Sequence, residues 1–205
     1  QVQGIGFRPY VFCLAERFGY KGWVNNGLNG VHIEFNAEEE AAKRFEIEIA
    51  QFPPPLSQIT SISRYKIQPK FFDNFQIINS EDEGSPNLLL TPDFATCKEC
   101  KEELHDQKNR RYGYAFITCT KCGPRYSIIN ALPYDRARTE MNKFHMCSDC
   151  IREYNDPHDR RYYSQTNSCM ECGIEMSLYD PNRKRLNLSQ ESIIDKVANL
   201  WRDGK

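Results

Sequence analysis

Apolar residues recur with a helical period near the start of the chain. Four of them share the spacing i, i+3, i+4 and i+7, which places them on one helix face: Val11, Leu14, Ala15 and Phe18. Pro9 suits the first turn of this predicted helix, and Gly19 can end it. A second helix is predicted from about Glu38 to Phe52, where the run Pro53–Pro55 stops it.

Alternation of apolar and polar residues replaces the helical period in the stretches around these helices. Residues 20–25 are predicted to form a strand, and residues 31–35 a second strand that pairs with it as a hairpin. Further strands are predicted at 59–67 and 75–78. Because helices separate the strands, the pattern predicts an α+β fold, a ferredoxin-like sandwich with two helices on one face of the sheet.

The residues that lead into the first helix have the composition of an anion site. Gly4 and Gly6 precede the helix, and a glycine loop at a helix N-terminus presents backbone N–H groups to a negative ligand. Arg8 follows the loop, and its guanidinium fork suits phosphate or carboxylate. A lone G-x-G is a weak signal, however, and Asn26 by itself is also typical of a turn with positive φ.

The composition bounds the class of protein. The chain has 205 residues, enough for one domain of ordinary size and a smaller one, and a formal net charge of −1 at pH 7. No run approaches the roughly 20 apolar residues of a membrane span, and no secretory signal opens the chain. We therefore expect a cytoplasmic protein in a reducing environment, with neither a membrane nor a nucleic acid as partner.

Eight of the nine cysteines form four C-x-x-C pairs that repeat with a period of 50 residues. In each repeat 18 residues separate the two pairs. This spacing is typical of zinc sites with four sulfur ligands, and a reducing compartment favours metal binding over disulfides. The predicted ligands are Cys97, Cys100, Cys119, Cys122, Cys147, Cys150, Cys169 and Cys172.

The duplication predicts two zinc ions, held by fingers at residues 97–122 and 147–172. One zinc in each repeat is the simplest pairing, but an interleaved pairing of the first C-x-x-C with the fourth fits the spacing as well. Iron–sulfur clusters are an alternative with the same ligands. Each repeat is too small to bury a substantial core, so the metal must supply folding energy, and four cysteine ligands leave no open position for catalysis.

Charged residues recur with the same period. Arg110-Arg111 matches Arg160-Arg161, and we expect these arginines to pair with aspartates of their own fingers: Asp106, Asp156 and Asp159. Residues 97–172 contain 13 Lys+Arg and 11 Asp+Glu, and eight thiolates with two zinc ions bring the formal charge to about −2. This balance argues against nucleic acid. The ninth cysteine, Cys13, is predicted to be a small buried hydrophobe in the first helix.

Two stretches at the start of the chain resemble the acylphosphatase family. They are Val-Gln-Gly-Ile-Gly-Phe-Arg at 2–8 and Gly-Trp-Val-Asn-Asn at 22–26. The resemblance implies that Arg8 binds the substrate and that Asn26 orients the attacking water. It assigns the phosphate-binding loop to Gln3, Gly4, Ile5, Gly6 and Phe7, together with Arg8. It also implies a strand before the loop, of which only Gln1–Gln3 belong to this chain.

The two halves together resemble the N-terminal part of the HypF family, the carbamoyltransferases of NiFe-hydrogenase maturation. The stretches that carry the resemblance lie at residues 53–56, 92–97, 119–125 and 132–136. It implies acylphosphatase-type hydrolysis of carbamoyl phosphate, as the first step of carbamoyl transfer to the partner protein HypE for cyanide-ligand synthesis. It also implies that ATP is used only by domains further along.

The same resemblance divides the chain into three parts. Residues 1–82 are expected to form the acylphosphatase-like domain and residues 83–180 the tandem zinc-finger domain. Residues 181–205 are expected to be a linker and the start of a following domain, with a helix from Glu191 to Trp201. The alternative to an enzyme is a catalytically silent, zinc-containing module for binding and assembly.

Overall fold

The computed structural model of the protein describes residues 2–80 and 93–204. Residues 2–80 form the sandwich, which contains two helices and three strands. In chain order they are α1 (Phe7–Phe18), β1 (Gly22–Gly27), β2 (Gly30–Phe35), α2 (Glu39–Gln51) and β3 (Phe75–Ile77). The helices and the hairpin agree with the sequence pattern, and the left-handed Gly19 ends α1 as expected.

The sheet has the order β2-β1-β3, with β1 antiparallel to β2 and parallel to β3. Both helices pack on it through one apolar core: Ile5, Phe7, Val11, Leu14, Ala15, Val24, Phe45, Ile49 and Phe75. Aromatic rings extend this core, because Phe35 lies 5.0 Å from the Tyr20 ring and 4.9 Å from the Phe45 ring. The predicted sandwich with two helices on one sheet face is confirmed.

The predicted strand at 59–67 is wrong. Residues 57–72 have no regular secondary structure, and the rings of Tyr65 and Phe71 are 81% and 86% exposed. A strand needs a neighbour that accepts its hydrogen bonds, and none of the described strands pairs with this segment. Side chains hold it instead: Lys70 pairs with Glu34 at 2.8 Å.

Residues 93–180 form the finger module, in which one backbone path occurs twice. Helices α3 (Lys98–His105) and α4 (Ser148–Asn155) each begin directly after the first cysteine of their repeat. The 50-residue shift extends to the hydrogen bonds, since Gly113 N–H donates to Leu104 and Tyr163 N–H donates to Tyr154, both at 2.9 Å. Four short 3₁₀ helices lie between α3 and α4: Thr120–Cys122, Tyr126–Ile128, Arg136–Arg138 and Glu140–Lys143.

The last helix, α5 (Gln190–Arg202), covers the predicted helix and begins at a Ser189 cap, whose hydroxyl accepts from Ser192 N–H at 3.2 Å. Its one buried residue is Ile193, whereas Trp201 is 82% exposed. None of the helices in the described ranges is both long and apolar enough to cross a membrane.

The finger module packs against the loop end of the sandwich. Tyr134 N–H donates to Gln3 Oε1 at 3.0 Å, and the Tyr162 ring lies 5.5 Å from that of Phe12 on α1. The predicted domain boundary between residues 82 and 83 falls outside the described residues. These contacts place finger residues directly over the glycine loop.

Candidate phosphate site and metal centres

The loop before α1 has the backbone of an anion cradle. Gly4 and Gly6 both have φ of +75°, a left-handed conformation that costs a residue with a Cβ about 1–2 kcal/mol. Gly6 is the N-terminal cap of α1 and has no side chain to satisfy the first helical N–H groups. Those donors, together with the helix dipole, favour a bound anion.

Arg8 and Asn26 meet beside this cradle. Arg8 lies in the first turn of α1 and Asn26 in β1, and both are buried, with 6% and 1% exposed. With the amide oxygen of Asn26 turned toward the guanidinium, it accepts from Nε and Nη2 of Arg8, both at 3.2 Å. Asn26 is thus a strand residue beside the predicted phosphate site. It is not a turn residue with positive φ.

The other cradle residues divide into two kinds. Ile5 and Phe7 point into the apolar core, so their contribution to anion binding would come from the backbone. Gln3 is a brace: its amide nitrogen donates to Gly27 O at 2.9 Å, and its oxygen accepts from Tyr134 N–H. The loop is thus tied to the β1–β2 turn and to the finger module at once.

Three residues of the finger module also contact Arg8, and none of them is among the site residues predicted from the sequence. Asp135 Oδ1 lies 2.8 Å from Arg8 Nη2, and the carbonyl of Tyr134 accepts from the same nitrogen at 3.3 Å. The Tyr163 ring faces the guanidinium, with 5.5 Å between its centroid and Arg8 Cζ. Burial raises the pKa of Tyr134 to about 12, so its phenol adds no negative charge here.

One signal for Tyr163 was present in the sequence. The 50-residue shift aligns it with Gly113, which has φ of +68°. Tyr163 adopts φ of +56°, which is unfavourable for an aromatic residue and tends to persist at functional positions. A strained tyrosine in the place of the first repeat's glycine, with its ring beside Arg8, makes Tyr163 a candidate residue of the site.

The finger module packs closely against the cradle glycines. A Cβ on Gly4 would lie 2.6 Å from Pro124 Cβ, and one on Gly6 would lie 2.8 Å from Thr120 Cβ. The space between Arg8 and these finger residues is about 20 Å³, enough for one water molecule.

The eight paired cysteines gather in two clusters, each made by one repeat. Within each cluster the sulfur atoms all lie within 4.8 Å of one another: Cys97, Cys100, Cys119 and Cys122 in the first, and Cys147, Cys150, Cys169 and Cys172 in the second. The pairing is therefore sequential rather than interleaved. Cys13 stands apart and is exposed, with Sγ 3.6 Å from Pro157 O, so its predicted burial is wrong.

The sulfur geometry fits a tetrahedral metal. Four ligands at about 2.3 Å from zinc span a tetrahedron with edges of about 3.8 Å. The distances between sulfurs are 3.6 Å for Cys97 and Cys119, and 3.8 Å for Cys147 and Cys169. Two four-cysteine clusters thus suit two metal ions.

The arginines of the fingers do not pair as expected. Arg110 Nη1 and Arg111 Nη2 lie 2.8 and 2.5 Å from Glu153 in the other repeat. Arg160 and Arg161 reach Glu103 in the same exchanged way. The aspartates that were expected to bind them accept backbone N–H groups in their own turns instead: Asp106, Asp156 and Asp159. The predicted pairing within each finger is therefore wrong, because each arginine pair binds a glutamate of the other repeat.

The exchanged glutamates are held as anions. Burial by itself would raise the pKa of Glu153, but the hydrogen bond from Arg111 and the nearby arginine charges outweigh it and lower the pKa to about 2. The pKa of Glu103 is also lowered, because Arg161 and Arg160 overcome the effect of burial. Both carboxylates are fully ionised at neutral pH.

Comparison with known proteins matches both units. A family model described as Acylphosphatase matches residues 1–77, and one described as HypF finger matches 96–129 and again 146–179. The acylphosphatase of Thermotoga petrophila is 36% identical over 77 residues, which are 37% of this chain and 84% of that protein.

Longer relatives match across both units. The carbamoyltransferase HypF of Synechocystis is 44% identical over 144 residues, which are 70% of this chain and 19% of that protein. A crystal structure of full-length HypF in the phosphate- and nucleotide-bound form has a TM-score of 0.88 and 42% identity, covering 100% of this chain and 26% of that one.

Fold and matches together define a protein in which an acylphosphatase-type sandwich is joined to a pair of four-cysteine fingers. The chain belongs to the HypF family and corresponds to its N-terminal part. It spans 19% of the length of the Synechocystis relative.

Proposed function

We propose that the loop at residues 3–8 binds the phosphate of an acyl phosphate and that the protein hydrolyses it. The observation that carries the proposal is the contact between the buried Arg8 guanidinium and the Asn26 amide, 3.2 Å apart, at the N-terminus of α1. A cation, the first N–H groups of a helix without a side-chain cap and a polar amide meet there. This combination stabilises charge on phosphoryl oxygens and can hold a water molecule.

The proposed substrate is carbamoyl phosphate. Water attacks phosphorus, a new P–O bond forms, and the bond from phosphorus to the carbamoyl oxygen breaks. Inorganic phosphate and carbamate leave, and the water proton passes to the products or to solvent. Arg8 and the loop N–H groups stabilise the phosphoryl oxygens, and Asn26 positions the water. Because an acyl phosphate is already activated, no general base is required.

In the longer proteins of the family this hydrolysis would be the first step of carbamoyl transfer. We propose that carbamate passes to later domains, which use ATP and deliver the carbamoyl group to a HypE-type partner for cyanide-ligand synthesis. Support comes from the matched relatives, which carry the name carbamoyltransferase HypF. These later steps belong to the parts of those proteins that this chain does not span.

We further propose that each four-cysteine cluster holds one zinc ion in a structural role. Zinc suits four thiolates in tetrahedral array, and such a set leaves no open position for substrate. The first repeat offers little apolar core beyond Tyr114, Ile117 and its cysteines, so metal binding would supply much of its folding energy. Reduced ligands of this kind call for a reducing, cytoplasmic setting.

The experiment that tests the hydrolase function is phosphate release from carbamoyl phosphate. Arg8→Ala and Asn26→Ala proteins are compared with an Arg17→Ala control, which removes an exposed arginine of α1 that pairs with Glu48, away from the cradle. We expect kcat/KM to fall by at least about 100-fold in the first two proteins and to be unchanged in the control. Full activity in Arg8→Ala would refute the site.

The alternative function, a catalytically silent module for binding and assembly, has one observation in its favour. Arg8 is already paired with Asp135, a carboxylate that a bound phosphate would have to displace. A folded, metal-loaded protein that releases no phosphate, yet binds its partner through the fingers, would support this alternative.

A further inference from the structure

Besides the arginine–glutamate pairs, the two fingers exchange contacts between arginines and cysteine sulfurs. Arg110 belongs to the first repeat, but its Nη2 lies 3.3, 3.3 and 3.2 Å from the sulfurs of Cys147, Cys150 and Cys169 in the second cluster. No other described arginine touches three sulfur ligands. These are distances of N–H···S hydrogen bonds, so Arg110 donates to ligands that its own repeat does not contain.

The second repeat returns the contact. Arg160 Nη1 lies 3.2 Å from the sulfur of Cys100 and 3.9 Å from that of Cys97, both in the first cluster. The neighbouring arginines lie farther from the sulfurs. Nη2 of Arg111 is 3.6 Å from the sulfur of Cys150, and Nη2 of Arg161 is 3.9 Å from that of Cys100. Two arginines of each repeat thus face the cluster of the other.

The exchanged glutamates hold the guanidinium groups in these positions. Glu153 accepts from Arg110 at 2.8 Å, and Arg111 is further fixed by the Ser168 carbonyl, which accepts from Nε at 2.9 Å. Glu103 lies 2.5 Å from Arg160 and takes the equivalent part in the other half. Packing fixes Arg111 and Arg161, which are nearly fully buried, whereas the side chains of Arg110 and Arg160 are 29% and 22% exposed and are held by the glutamates.

Charge explains why the contacts matter. A divalent ion with four thiolates has a formal charge of −2, and buried charge is costly unless it is paired. A guanidinium at the sulfurs compensates this charge, and its hydrogen bonds hold the thiolates in place. Groups that orient metal ligands in this way typically change metal affinity 10- to 100-fold.

We propose that Arg110 and Arg160 are positioning residues for the metal of the opposite finger, so that each repeat completes the other's site and the two metals are bound interdependently. The inference rests on the metal occupancy proposed above and not on the hydrolase activity. It predicts a crossed response: a change in one repeat must alter the metal in the other.

NMR of the cadmium-loaded protein tests this prediction, because each cluster gives its own cadmium resonance. Serine substitutions at Cys122 and Cys172 assign the two signals. We expect Arg110→Ala to shift the signal of the second cluster and Arg160→Ala to shift that of the first. Competition with a chelator should show a 10- to 100-fold loss of affinity at the shifted site.

Two further proteins make the result decisive. Arg110→Lys keeps the charge and can still donate to sulfur, so it should restore most of the affinity even if Arg110→Ala folds poorly. Arg185→Ala removes an exposed arginine that pairs with Glu175 at 2.6 Å and shares no partner with Arg110 or Arg160, so neither signal should move. Shifts confined to the variant's own repeat, or none in a loaded protein, would overturn the inference. Failure to bind any metal would instead refute the occupancy on which it rests.

Discussion

The Arg8 guanidinium and the Asp135 carboxylate form an ion pair across two structural units, with 2.8 Å between Nη2 and Oδ1. Their side chains are only 7% and 21% exposed, so water screens the pair weakly. Arg8 is the cation that the proposed substrate must engage. Asp135 therefore stands where a phosphate oxygen would compete for the same donors.

We predict that Asp135→Asn binds phosphate more tightly than the natural protein. The substitution keeps the size and an oxygen acceptor but removes the competing charge. The inhibition constant of inorganic phosphate, and KM for carbamoyl phosphate, should fall on the order of tenfold, equivalent to about 1.4 kcal/mol. The control is Asp195→Asn on the exposed face of α5. Weaker binding in Asp135→Asn would mean that Asp135 supports Arg8 rather than competing with the ligand.

We predict that Gly6→Ala costs more stability than Gly19→Ala. Both positions have positive φ, so both variants carry a backbone strain of about 1–2 kcal/mol. Only at Gly6 would the new Cβ meet another atom, Thr120 Cβ at 2.8 Å, whereas nothing lies within 4 Å at Gly19. The free energy of unfolding, measured with denaturant, should fall by about 1–3 kcal/mol more in Gly6→Ala. Equal losses would show that the fingers do not press on the cradle.

We predict that Tyr163→Gly weakens phosphate binding without lowering stability in proportion. Glycine relieves the left-handed strain, but it removes a ring that faces Arg8, a contact worth about 0.5–2 kcal/mol. A loss of phosphate affinity of about 2- to 30-fold should be seen by calorimetry. Arg183→Gly is the matched control, because Arg183 also has positive φ but lies in an exposed turn. The control should leave phosphate affinity unchanged, and a similar loss in both proteins would contradict the role of Tyr163.

We predict that a strong chelator unfolds the finger module and leaves the sandwich folded. The sandwich has its own core around Val11, Val24 and Phe45, which involves no metal ligand. The first finger has little beyond Tyr114 and Ile117. Two-dimensional NMR should show the sandwich signals dispersed after metal removal while those of the fingers collapse. One concerted unfolding of the whole chain would indicate that the sandwich depends on the fingers.

The parts of the fold that follow from local pattern could be predicted. The helical period around Val11 and the alternation in β2 are decided within a few residues, and both elements form as expected. The segment 59–67 has the same kind of alternation but pairs with none of the described strands, and a strand forms only with a hydrogen-bonded neighbour. Sequence periodicity contains no information about whether that neighbour is present.

The residues of the candidate site also differ in whether a short sequence motif could predict them. Arg8 and Asn26 could be named from short motifs, and the structure brings them together. Asp135 could not, because nothing near it in sequence indicates a partner on the opposite unit. The arginine pairs were recognised but assigned to nearby aspartates. Proximity in sequence is a poor guide where duplicated segments exchange side chains.

Gly113 and Tyr163 occupy the same left-handed backbone position in the two repeats but carry different side chains. When a module consists of two equal repeats, the duplication itself does not determine which repeat contacts the neighbouring domain. The first repeat has Gly113, which tolerates a positive φ, and the second repeat has Tyr163, which is strained there. As a result, an aromatic ring from the second repeat lies beside Arg8, and the first repeat has no side chain at the equivalent position. A single difference in side chain, at a backbone bend that both repeats share, thus distinguishes the two halves of the metal-binding module.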